Sequence, residues 1–150
     1  MKTSSAVALF LAALASSASI AHTDDALDAQ EAANGGQMRM AGPYHFELVV
    51  AKDSKGAKEN PIVVYLTDHA GKKVPSAGAT GIATLLAGRS KATASLVPDG
   101  DNRLKGSAHY ASVAEMKVVV SITFPGRNAE QARFTPLATG RDAPAEHNKH

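Results

Sequence analysis

KVVVSITF, residues 117–124, is the stretch whose reading decides the fold. β-Branched side chains dominate it, and they lose least conformational freedom in an extended chain. Val118, Val120, Ile122 and Phe124 share one parity, so a strand here turns them together toward a core and leaves Val119 less buried. Pro125-Gly126 then stops the run, because Pro cannot donate to a ladder and Gly favours a turn. Working outward, Gln131 to Thr135 supplies a closing strand. Upstream, Arg103 to His109 follows the turn-forming stretch Val97-Pro98-Asp99-Gly100-Asp101-Asn102. Gly81 to Leu86 and Ala92 to Val97 flank Ala87-Gly88-Arg89-Ser90-Lys91 and read as a hairpin. Ile62 to Leu66 is strand-like and ends at the tight turn Asp68-His69-Ala70-Gly71-Lys72. Tyr44 to Val50 alternates, with Tyr44, Phe46, Leu48 and Val50 on one face, and the polar connection Ala51 to Asn60 follows it.

These are about seven short strands near ten-residue spacing, with a helical pattern nowhere except around Ala32. The pattern predicts an all-β fold, an antiparallel β-sandwich of immunoglobulin-like architecture over residues 37–137. A small β-barrel is the alternative. With 4 Phe, 3 Tyr and no Trp, the core must be packed mainly by Val, Leu, Ile and Ala.

The ends read differently. Residues 1–21, MKTSSAVALFLAALASSASIA, have a positive Lys2, an apolar run from Ala6 to Ala15, and small residues at Ser19 and Ala21 before His22. That is the form of an export signal peptide, and its apolar run is about half the ~20 residues a membrane span needs. Localisation in a bacterial periplasm is the simplest expectation, with no membrane span in the mature chain. Residues 22–36 (HTDDALDAQEAANGG) are acidic and polar and read as a flexible lead-in; residues 138–150 read as a disordered tail. Export takes Lys2 from the 16 Lys and Arg, which then stand at 15 against 14 Asp and Glu. A charge so near zero gives no general pull toward nucleic acid or anionic membranes. The chain has no Cys, which removes disulfides, thiolate metal sites and a Cys nucleophile.

Catalytic patterns are missing. There is no Gly-x-Ser-x-Gly elbow, phosphate-binding loop, dinucleotide glycine pattern or His-Glu-x-x-His, and Asp53, Asp68, Asp99 and Asp101 all fall in predicted turns. No catalytic residue is expected, and the chain reads as a non-enzyme. Metal ligation has more to work with. Met38 and Met40 stand at i and i+2 and share a face if the segment is extended. Thioether sulfur is a soft donor suited to Cu(I) or Ag(I) and needs no deprotonation. His45 and Glu47 form a second i, i+2 pair on the polar face of the first strand, half a site for Zn(II) or Cu(II). An imidazole must be neutral to ligate, so such a donor weakens as pH falls through the ordinary range near ~6.5. His69 sits in a turn, His109 at a strand end, His147 and His150 in the tail.

One ordered set of motifs extends beyond strand pattern. Gly35-Gly36 is followed by Tyr44-His45-Phe46-Glu47-Leu48-Val49, then by Val64-Tyr65-Leu66-Thr67-Asp68-His69-Ala70-Gly71-Lys72-Lys73-Val74. Leu96 to Gly106 (LVPDGDNRLKG) and Lys117-Val118-Val119-Val120 continue it. Over roughly residues 35–135 the chain resembles the small N-terminal β-domain of periplasmic adaptor subunits of heavy-metal efflux systems of the resistance-nodulation-division type, and free-standing exported proteins related to it. The resemblance implies a heavy-metal resistance accessory whose partners are metal ions and envelope efflux components. Where that pattern has His immediately before the Gly-Gly pair, this chain has Asn34.

Two functions of different class follow. One is a non-enzymatic metal-binding or metal-relay protein holding its cation through Met38, Met40, His45 and Glu47. The other is a protein-interaction module whose sheet face or edge docks on an envelope partner.

Overall fold

The computed structural model describes residues 24–28, 30 and 32–139, of which a one-turn helix α1 (Asp24–Asp28) and eight strands are the regular elements. The strands are β1 (Gln37–Ala41), β2 (Tyr44–Val50), β3 (Lys58–Asp68), β4 (Thr80–Ala87), β5 (Ser90–Pro98), β6 (Arg103–Tyr110), β7 (Lys117–Thr123) and β8 (Ala129–Phe134). The segment 1–21, His22, His147 and His150 lie outside the described residues. No helix among the described residues is long and apolar enough to cross a membrane.

All neighbours pair antiparallel in the order β1-β2-β3-β6-β5-β4-β7-β8. Seven of these strands are those the periodicity marks, and the eighth is β1. QMRMA carries no β-branched residue, so propensity does not announce it. It is extended because the turn Gly42-Pro43 folds it back on β2 in full register, with φ of +56° at Gly42, a backbone region that L side chains avoid.

β1 also brings the sheet near closure. The Thr135 amide donates to Gln37 Oε1 at 2.8 Å, and the Glu130 carboxylate lies against Gly42. The two edges, β1 and β8, therefore run alongside each other in opposite directions, joined by side chains and not by a ladder.

Alternation along each strand fills the space inside. Phe46, Leu48, Ile62, Val64, Leu66, Leu85, Leu104, Val120 and Ile122 form one buried cluster. On β7, Val118, Val120 and Ile122 point inward and Val119 is half-buried, as parity requires. Tyr110 anchors one end. Its hydroxyl donates to the Pro61 carbonyl at 2.7 Å and accepts from the Ala51 amide at 2.9 Å.

Burial raises the Tyr110 phenol above its ordinary value of 10.0, against the weaker opposing pull of the Ala51 amide. The fold therefore favours the neutral phenol. That contribution is complete below about pH 10 and is lost as pH rises through the raised value. Urea unfolding across the alkaline range should show stability falling there, and Tyr110→Phe should flatten that limb while costing about 1 kcal/mol at neutral pH.

The acidic segment ahead of β1 is not wholly a loose lead-in. Leu27 on α1 is buried, and Asp28 accepts from Arg39 Nη1 at 2.6 Å and from Nη2 at 3.2 Å. One turn of helix has little stability of its own, so this tertiary anchoring is what holds it.

Candidate functional site

The register of β1 on β2 sets Met38 opposite Glu47 and Met40 opposite His45. Directly opposed residues of an antiparallel pair share a face, so all four residues nominated from the sequence lie on one side of one hairpin. β3 extends the same rows, placing Thr67 beside His45 and Tyr65 beside Glu47. Met38, His45 and Glu47 line a cavity of about 510 Å³ with Tyr65, Thr67 and His69. Met40, one pair nearer the hairpin turn, lies outside that lining.

His69 reaches the cavity because Tyr44 pairs with Asp68, which brings the turn after β3 over the start of β2. Asp68 Oδ1 shapes that turn by accepting from the Ala70 and Lys72 amides, both at 2.9 Å. The His69 ring stacks on His45, with centroids 4.8 Å apart and planes 21° apart, and its Nε2 lies 3.2 Å from the Gly42 carbonyl. Two imidazoles and one thioether thus face the same space.

The polar face of β2 is covered. His45 is 5% exposed and Glu47 6%. The wall over them comes from the segment before β1, through Gln30, Ala33 and Asn34. Glu47 holds that wall in place. Its Oε1 accepts from the Asn34 amide at 2.8 Å and the Gly36 amide at 3.0 Å, and its Oε2 accepts from Asn34 Nδ2 at 2.9 Å. Gly36 permits this approach because a Cβ there would run into the Leu48 carbonyl. Both oxygens of Glu47 therefore already serve the turn at residues 34–36. Among the described residues no three His, Asp or Glu side chains converge as a group able to hold a metal. Beside Tyr65 on β6, Arg103 donates from Nη1 to the Tyr65 hydroxyl at 3.5 Å and pairs with the Asp99 carboxylate at 2.9 Å, and these contacts raise it above its ordinary value.

Replacing Glu47 by Gln tests its part. An amide has a single acceptor oxygen for three donors, so Glu47→Gln should lower stability by about 1–3 kcal/mol in urea unfolding. Hydrogen exchange at residues 34–36 should quicken in the same variant.

Sequence reasoning missed two participants. His69 was legible only as a turn residue, since its stacking on His45 depends on the pairing of β2 with β3. Asn34 drew notice for its identity, but its grip on Glu47 is non-local. Compared with family models, curated proteins and solved structures, the chain matches none of them.

Proposed function

We propose that this protein is a non-enzymatic metal-binding accessory of the bacterial periplasm, holding Cu(I) or Ag(I) for a heavy-metal efflux complex. One observation carries the reading: Met38 and His45, on paired strands, face one cavity with His69, whose ring lies against that of His45. Soft thioether and imidazole donors suit Cu(I) and Ag(I). Zn(II) in proteins takes three or four Cys, His or carboxylate ligands, and the carboxylate nearest this cavity is committed to backbone amides. Met38, Met40 and His45 with His69 are the proposed donors, and Glu47 orients the wall around them. The motif likeness to efflux adaptor domains and the export-type segment 1–21 support the periplasmic setting.

The architecture we read as a two-layered sandwich of immunoglobulin-like kind, not a small barrel. What supports it is that β5 and β6 are in ladder register only at Val97 and Pro98, whereas β4 and β5 pair along seven residues, so β1-β2-β3-β6 and β5-β4-β7-β8 read as two layers joined at that corner.

Competition titration of the protein with Cu(I), Ag(I), Cu(II) and Zn(II) against a chelator for each tests the function. Tight binding of the two monovalent ions is expected, with Zn(II) weaker. Zn(II) binding as tightly as Cu(I), or no binding of either monovalent ion, overturns the reading.

A further inference from the structure

We infer that the layer opposite the cavity is a docking face for an acidic protein surface. The most exposed large apolar side chains among the described residues are Ile82, Leu86 and Val97, at 53%, 47% and 59%, and all come from β4 and β5. The register gathers cations around them. Leu86 stands between Lys91 on β5 and Lys117 on β7, and Arg133 on β8 stands beside Val119. β4, β5 and β7 contain no Asp or Glu at all; the nearest along the chain are Asp99, directly after β5 and paired with Arg103 at 2.9 Å, and Glu115, in the turn before β7. None of the three cations has an ion-pair partner among the described residues. A recess of about 270 Å³ opens among Leu86, Lys117, Arg133 and Arg39, the last already paired with Asp28.

The charge pattern selects the occupant. A second copy packed on the same face would set these cations against themselves, since a two-fold interface opposes like to like. A lipid surface is held by a broad apolar face, commonly with aromatic side chains at the interface, and this face offers three separate aliphatic side chains and no aromatic residue on β4, β5 or β7. What remains is a protein surface with carboxylates around a small apolar centre. Four strands and four rows span roughly 14 by 20 Å, a few hundred Å² and well short of the ~800 Å² per partner of stable complexes. Docking of this size is transient and salt-sensitive, because rim charges act mainly through the encounter rate. It suits a carrier that must leave its partner, and it does not depend on metal binding.

The test is amide NMR on the protein with four probes: a soluble peptide alternating Glu and Leu, its Lys–Leu counterpart, phosphatidylglycerol vesicles, and the protein alone at rising concentration. The Glu–Leu peptide should shift Ile82, Thr84, Leu86, Lys117, Val119 and Arg133, with affinity falling as salt rises. Lys117→Glu with Arg133→Glu, both outward and away from the core, should weaken it about tenfold or more while Cu(I) affinity is unchanged. No shift with the Glu–Leu peptide overturns the inference, as do shifts spread over all Lys and Arg residues. Equal binding of the Lys–Leu peptide, preferential binding of the vesicles, or self-association through this face also overturns it. A loss of Cu(I) binding alone counts against the metal-site reading and leaves the docking face standing.

Discussion

The double substitution Met38→Leu with Met40→Leu is expected to remove tight Cu(I) binding and leave the fold unchanged. Leucine keeps the apolar volume on both half-buried positions of β1 while deleting the soft donors. Loss of a residue that merely orients a ligand costs about 10–100-fold in metal affinity, so loss of the ligands themselves should exceed that range. Chelator competition gives the affinity, and far-ultraviolet circular dichroism with urea unfolding checks that stability moves by less than about 1.5 kcal/mol. Unchanged Cu(I) affinity would make both methionines packing residues of β1. The single variants separate them: Met38 lines the cavity and Met40 does not, so Met38→Leu should carry the larger part of the loss.

Ile122→Ala is expected to be the most damaging of the conservative truncations to stability, at about 2–4 kcal/mol. Ile122 is fully buried on β7, which pairs with β4 on one side and β8 on the other. Truncation forfeits transfer energy and leaves a cavity that two-sided pairing keeps from collapsing. Val119→Ala on the same strand faces outward and should cost well under half as much. Urea midpoints at constant slope distinguish the two, since an unchanged slope means that the change lies in stability.

The strands were legible because their cause is local. In KVVVSITF the parity of Val118, Val120 and Ile122 is the burial pattern itself, and Gly88 and Pro125-Gly126 punctuate strands where the chain turns. β1 was not legible as a strand, because its extended form comes from its partner β2 and from Gly42. The near-closure of β1 on β8 likewise rests on contacts between residues about a hundred positions apart, such as Gln37 with Thr135. At the site, the i, i+2 spacing of Met38 with Met40 and of His45 with Glu47 placed each pair on one face, and the hairpin then joined the two pairs. Burial was the part that spacing could not give. Leu27 and Asp28 sit in an acidic stretch with no apolar period, yet Arg39 and Glu47 draw that stretch against the sheet.

Convergence of soft-metal donors on the outer side of the first hairpin, as proposed, can be read out by Ag(I) titration followed through methionine methyl carbon resonances. Met116 is fully buried in the core and serves as an internal reference. On addition of Ag(I) the Met38 and Met40 methyl signals should shift, the ring signals of His45 and His69 should move with them, and Met116 should stay in place. Unmoved Met38 and Met40 signals at saturating Ag(I), or equal shifts at Met38, Met40 and Met116, would overturn the proposed site.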